Sequence, residues 1–302
     1  MDTASTPAAA GGPTHSIGTE SGPRPVGKRV PKGATVVSVR KLSGDMVRLH
    51  ARVQEPELLP ELGFSDSYVK VLLTPAAAGY TWPFDPEEIR VTRPREQWPL
   101  TRTYTIRAYD PATALMTLDL VVHEGGGAAQ PWIHSLHPDE VFGFLGPGGK
   151  WRPDPGLEHF LLIGDSSALP AIAAAMEVLP RGARAEVFLE VAGEGSEVRL
   201  PEVEGVEVTW VHTGTSLPGS RLVQAVTRAR PEVEDTGVFL HGNAEMVRDL
   251  RRHLLGERGL ERSALSASGY WRHGCTDEQW RAQKREFNEE MDRELVRQAP
   301  MA

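Results

Sequence analysis

Thr101-Arg102-Thr103-Tyr104-Thr105, continued by Ile106-Arg107-Ala108-Tyr109, reads as a β-strand. Successive side chains of a strand point to opposite faces, so Arg102 and Tyr104 project the same way, roughly 7 Å apart at ~3.4 Å of rise per residue. A cation and a flat ring on one face suit a flavin dinucleotide, since a guanidinium grips phosphate in a fork and an aromatic ring lies against isoalloxazine. A solvated strand face carrying an Arg and a Tyr is the plainer alternative, and the rest of the chain has to decide between them.

Around this strand, residues 35–39, 47–53, 68–73, 103–109, 115–123 and 141–145 form short β-like runs separated by turn residues. Six such runs without a helical period predict a small antiparallel barrel. In 115–123 the residues Met116, Leu118, Leu120 and Val122 share one face, with Thr117, Asp119, Val121 and His123 on the other. The glycine-rich turn Gly125-Gly126-Gly127-Ala128-Ala129-Gln130 opens a short helix with Pro131 in its first turn and Trp132 in its body. Such a turn is either a flexible loop or a backbone cradle for an anion.

Gly146-Pro147-Gly148-Gly149 and the proline-rich 151–156 mark a domain boundary, after which the pattern changes. Apolar runs at 159–163, 185–191, 206–212, 237–241 and 264–267 alternate with helical stretches near 169–178, 221–229 and 245–257, as a parallel sheet wound on both faces requires. Its first turn, Gly164-Asp165-Ser166-Ser167-Ala168-Leu169-Pro170, lacks a full Gly-x-Gly-x-x-Gly fingerprint. The carboxyl ends of the strands remain the usual ligand crevice of such a sheet. A last helix over 277–298 starts at a Thr276/Gln279 capping box, and its narrow stripe of Trp280, Phe287, Met291 and Leu295 packs on the body. The expected fold is therefore α+β in two domains: a tail over 1–32, an antiparallel barrel over 33–152, a doubly wound α/β domain over 153–269, and a crossing segment with a helix over 270–302. The tail, built of Gly, Pro, Ala, Ser and Thr, has too little apolar surface to order itself.

Composition narrows the function classes. A net charge of −8 and no basic stripe argue against nucleic acid as a partner. The single cysteine, Cys275, rules out an internal disulfide framework and a four-cysteine zinc or iron–sulfur site within one chain. No apolar run reaches membrane-spanning length and no secretion signal opens the chain, so the expectation is a cytoplasmic protein, as a monomer.

Several of these patches together resemble the siderophore-interacting protein family, FAD-dependent ferric-siderophore reductases of the ferredoxin-reductase superfamily. The likeness covers roughly residues 35–287 and rests on Arg102-Thr103-Tyr104-Thr105, His123, the turn from Gly127 to Trp132, Gly146-Pro147-Gly148-Gly149, Ala168-Leu169-Pro170-Ala171-Ile172 and Gly269-Tyr270-Trp271-Arg272. The resemblance implies that the barrel binds FAD and the α/β domain binds NADH or NADPH. It implies that Arg102 holds the pyrophosphate, Tyr104 lies against the isoalloxazine, Thr105 bonds its polar edge and His123 meets the adenosine half. Gly127, Ala128, Ala129 and Gln130 before Trp132 would seat the pyrophosphate, with Asp165, Ser167 and Ala168 beside the flavin. Of Tyr270 and Trp271, adjacent and so pointing opposite ways, one would shield the flavin and the other pack in the core. The chain departs from the family pattern at Ala128-Ala129-Gln130-Pro131, at Ser166 for a usual Glu, at Ser167 for a usual Thr and at Asn243 within Gly242-Asn243-Ala244. The implied substrate is a ferric siderophore, often anionic, for which Lys70, Arg107 and Arg272 are candidate pocket walls. A ferredoxin is an alternative electron donor. Two other functions stay open: a flavin reductase serving a flavodoxin- or ferredoxin-type acceptor, and a non-catalytic flavin- or siderophore-binding module.

Overall fold

The computed structural model describes residues 30–59, 61–122 and 126–298, with side chains to Leu295. Residues 1–29 of the expected tail and His123 lie outside the described residues. Six strands, β1 (Lys32–Lys41), β2 (Met46–Val53), β3 (Tyr68–Leu73), β4 (Leu100–Asp110), β5 (Leu115–Val121) and β6 (Val141–Gly148), close an antiparallel barrel in the order β1-β2-β5-β4-β3-β6. Two short helices interrupt it: α1 (Pro86–Thr92), capped by Asp85, and α2 (Gln130–Ser135).

The barrel core follows from alternation. Leu49, Val69, Val71, Met116, Leu118, Leu120 and Phe144 are fully enclosed, as the period of two dictates. The other face of β5 is not solvated as its polar residues suggest: Asp119 is only 3% exposed. Arg48 on β2 makes this tolerable, closing a fork on the carboxylate at 2.6 and 2.7 Å, because a buried charge needs a partner of opposite sign. Lys32 belongs to β1 rather than to the tail; it is buried, and its Nζ donates to the Gly146 carbonyl at 2.8 Å. Gly146-Pro147-Gly148 forms the end of β6, where pairing with β3 persists as far as Tyr68 opposite Gly148.

The second unit is a five-stranded parallel sheet in the order β11-β10-β7-β8-β9. It is built from β7 (His159–Asp165), α3 (Leu169–Met176), β8 (Arg184–Val191), β9 (Val206–His212), α4 (Ser220–Ala229), β10 (Thr236–Asn243), α5 (Ala244–Arg252) and β11 (Leu265–Trp271). Every residue of β10, an inner strand between β11 and β7, is buried, the signature of a strand covered on both faces. The helix expected over 245–257 stops being α-helical at Arg252 and finishes in a π-helical turn, His253–Glu257. Tyr270 and Trp271 close β11 itself instead of following it.

The last helix, α6 (Asp277–Gln298), buries Trp280, Phe287 and Met291 against Ala244, and the Trp280 indole donates to the Gly269 carbonyl at 3.3 Å. Its capping box is formed in both directions: Thr276 N donates to Gln279 Oε1 at 2.8 Å, and Gln279 N donates to Thr276 Oγ1 at 3.2 Å. Thr276→Ala removes one of the two bonds and is expected to destabilise the protein by about 1 kcal/mol. Thermal unfolding should register this as a fall of roughly 2–4 °C, the scale for a chain of this general size.

Candidate functional site

The barrel and the carboxyl ends of the parallel sheet meet around β4. Arg102 is largely buried, and all its hydrogen bonds use Nη1: to the Thr101 carbonyl at 2.9 Å, to Asp277 Oδ2 at 3.3 Å and to Glu278 Oε1 at 2.7 Å. The Nε–Nη2 edge of its guanidinium, the edge that forks onto a phosphate, makes no hydrogen bond among the described residues. Both carboxylates come from the first turn of α6, which Arg281 also fastens to β4 by donating to the Thr101 carbonyl at 2.6 Å. Burial pushes the Asp277 carboxyl above its ordinary range, against the pull of Arg281 and Arg102. Burial acts on Glu278 in the same direction, but the hydrogen bond from Arg102 and the neighbouring cations hold it below.

Tyr104, two residues on, sets its ring 6.2 Å from that of Trp132 on α2, tilted by 37°. Burial raises its phenol well above the usual range, opposed by Arg102, so the group stays neutral. Thr105 is buried on the same strand and pairs across to Tyr68. Gly126 and Gly127, at φ of +74° and +129°, take backbone conformations that residues with a Cβ rarely adopt, and so turn the chain into α2. Ala128 is exposed there, whereas Ala129 and Gln130 are buried. The Gln130 amide donates to the Val121 carbonyl at 3.3 Å, tying the turn to the end of β5.

On the sheet side Asp165 ends β7 with a buried carboxylate that accepts four hydrogen bonds. Oδ1 takes Ser167 N at 2.9 Å and Ser167 Oγ at 2.5 Å; Oδ2 takes Asn243 N at 2.7 Å and Trp271 Nε1 at 2.8 Å. Burial raises this carboxyl above its ordinary range despite the four donors. Gly242 is required beside it, since its φ is +135° and a Cβ there would stand 2.7 Å from the Asp165 carboxyl carbon. Ala168, fully buried, starts α3 over this turn. Trp271 is thus fixed at the strand ends, whereas Tyr270 packs against the apolar core of the sheet and joins its hydroxyl to His241 Nδ1 at 2.8 Å. His241, whose Nε2 meets Ser266 Oγ at 2.9 Å, is driven down to about 3 by burial and by Lys284, so its imidazole is neutral at physiological pH.

The three cations expected to wall a substrate pocket do not converge. Arg107 forks onto Glu177 just past α3, at 2.7 and 2.6 Å, and Arg272 bonds Glu245 at 2.8 Å with its guanidinium 5.2 Å from the Phe287 ring. Lys70 stays at the site, on β3 opposite Thr103. Its neighbour is a residue the sequence reading passed over: Lys284 of α6, 3.3 Å from Ser268 Oγ, whose ammonium is depressed by burial and further by Lys70, while Asp277 pulls the other way. A signal was present, because 277, 281 and 284 are spaced to share one face of a helix. What it faced was not.

A closed antiparallel barrel with an Arg–Tyr pair, set against the strand ends of a parallel sheet, is the architecture of flavin-dependent reductases. The free guanidinium edge of Arg102, the neutral ring of Tyr104 and the glycine turn before α2 are a donor set that fits a pyrophosphate joined to a flat ring system. The siderophore-interacting FAD-binding domain matches residues 35–151 and the siderophore-interacting protein domain matches residues 157–274. The chain belongs to the siderophore-interacting protein family. It is 35% identical over 278 residues to an uncharacterised protein of Mycobacterium tuberculosis, covering 84% of this chain and 94% of that one. It is 29% identical to the ferric vibriobactin reductase ViuB of Vibrio cholerae, over 72% of this chain and 81% of the relative. Among solved structures, a siderophore utilization protein from T. fusca superposes with a TM-score of 0.71 at 31% identity, covering 82% of this chain and 95% of that one. A ferredoxin reductase of carbazole 1,9a-dioxygenase, at 20% identity and a TM-score of 0.59, shares the fold.

Proposed function

We propose that this protein is an FAD-containing reductase of ferric siderophores that takes electrons from NADH or NADPH and releases iron(II) in the cytoplasm. The observation that carries the reading is the phosphate-binding edge of Arg102, left open beside Tyr104 in a domain of the FAD-binding type. The name of the Vibrio cholerae relative, a ferric vibriobactin reductase, supports the substrate class. FAD, when bound, accepts a hydride and hands on electrons one at a time, so one nicotinamide reduces two ferric centres.

The chain's own residues bind and orient. With FAD bound, the open edge of Arg102 would take the pyrophosphate, Tyr104 would support the ring system, and Thr105 would offer a hydroxyl to it. Trp271, held in place by its hydrogen bond to Asp165, would shield the bound ring system from water. Lys70 and Lys284 answer the negative charge of a ferric chelate, which an acidic protein of net charge −8 otherwise repels. Iron(II), once formed, is held weakly by the hard oxygen donors of a siderophore and leaves.

Anaerobic mixing of the purified protein with NADH or NADPH and a ferric siderophore, with an iron(II) chelator as reporter, should show nicotinamide-dependent iron(II) release. Absence of release with either nicotinamide would overturn the reading. Lys284→Gln is expected to raise KM for an anionic ferric chelate by about threefold to tenfold with kcat little changed, since a charge contact made equally in ground and transition states affects binding alone. An unchanged KM would remove Lys284 from the substrate path.

A further inference from the structure

A second cleft of about 390 Å³ lies on the seam between barrel and α/β domain, within the size range of small-molecule sites, which favour domain interfaces. Its inner wall is formed by two carboxylate–guanidinium forks, Arg48 on Asp119 and Arg107 on Glu177. Each fork cancels one negative charge, so both carboxylates lining the cleft are neutralised. The rim adds Arg40 and Lys41 from the end of β1 and Arg199 from the segment after β8. The side chains of Arg40 and Lys41 make no hydrogen bond or ion pair among the described residues. Arg199 has only the exposed partner Glu202, three residues on, at 2.9 Å, a pairing worth little in water. Within the wall, Arg107 is nine-tenths buried and its Nε has no partner. One end of the seam is closed by a backbone hydrogen bond from Gly44 N to the Gly195 carbonyl at 2.7 Å, which holds the two rims near each other.

Five cations against two already paired carboxylates, on a chain of net charge −8, make this cleft a local positive well. We propose that it binds a small phosphate-bearing anion, gripped from the barrel by Arg40, on the strand face of Arg48, and from the α/β domain by Arg199, with Lys41 adding positive charge at the rim. Arginine and lysine are the side chains that recognise phosphate, and contributions from both rims tie the two domains together through the ligand. Neither Arg102 nor Lys284 lines this cleft, which is walled by the Arg48–Asp119 and Arg107–Glu177 forks and by Leu169 and Ala173 of α3, so the proposal does not rest on the flavin reading.

The test is a titration of the purified holoprotein with inorganic pyrophosphate at constant ionic strength, exchanged against chloride so that screening stays fixed. Thermal unfolding and calorimetry are the readouts. Saturable stabilisation with an unchanged flavin absorption spectrum is expected. In the triple variant Arg40→Ala, Lys41→Ala, Arg199→Ala, all at surface positions outside the core, the half-saturating concentration should rise at least tenfold while flavin content stays the same. Absence of saturable binding to the parent protein overturns the proposal, and so does equal affinity in the triple variant. Loss of FAD with the same dose response in both proteins would assign pyrophosphate to the cofactor's phosphate contacts and overturn it too.

Discussion

Arg102→Ala is expected to purify largely without FAD, colourless where the parent protein is yellow. A charge-assisted contact to phosphate contributes about 1.5–3 kcal/mol, which is a tenfold or greater change in affinity. The surroundings make the loss larger than that of an isolated cation. Glu278, 2.7 Å from Nη1, would lose its hydrogen-bonded arginine beside an incoming anion, while Asp277 keeps Arg281 at 2.8 Å, so the corner gains uncompensated negative charge from Glu278. Glu278→Gln serves as the comparison: it keeps the fork edge of Arg102 and removes one negative charge, so its FAD affinity should equal or exceed that of the parent. Flavin titration of the apoproteins reads both. Full affinity in Arg102→Ala would show that the pyrophosphate lies elsewhere.

The contrast between those variants also marks what the sequence made legible. Strand alternation around Arg102 and Tyr104, the six short runs and the switch to apolar runs alternating with helices were enough for both layers of the fold, because each is a local periodicity that burial enforces. The pairing of Arg102 with the first turn of α6 joins residues 175 and 176 apart, and no local pattern encodes it. The buried side of β5 was hidden for a similar reason: Thr117 and Asp119 look solvated from the sequence, yet both are buried and Arg48 on β2 closes a fork on Asp119. Arg107 was read as reaching toward a substrate. A register shift between Ile106 and Ala108, in the pairing of β4 with β5, accompanies its turn onto Glu177 instead. Lys284 escaped notice because the polar face of an amphipathic helix reads as solvated, whereas this one abuts Ser268 and the β3–β4 corner.

Asp165→Ala is expected to have the larger effect on stability, and comparison with Asp165→Asn isolates its cause. The alanine variant strips acceptors from Ser167 N, Asn243 N and Trp271 Nε1 in a place closed to solvent, and each orphaned donor costs about 1–3 kcal/mol. Relief from burying a carboxylate offsets part of this, leaving a net loss of roughly 3–5 kcal/mol, on the scale of breaking other buried charge networks. In the asparagine variant one oxygen survives, and its better orientation can be worked out. An amide nitrogen at the Oδ2 position would face two N–H donors, from Asn243 and Trp271, neither of which can reverse. At the Oδ1 position it meets the backbone N–H and the hydroxyl of Ser167, and the hydroxyl can rotate to accept. The surviving oxygen should therefore keep Asn243 and Trp271, with Ser167 N alone unpaired, at a cost of about 1–3 kcal/mol. Melting temperature should fall in the order parent, Asn, Ala, while the fluorescence of Trp271 shifts in the alanine variant and holds in the asparagine variant. Equal losses in the two variants, with Trp271 released in both, would mean that the charge of Asp165, rather than the placement of its acceptors, organises the ends of these strands.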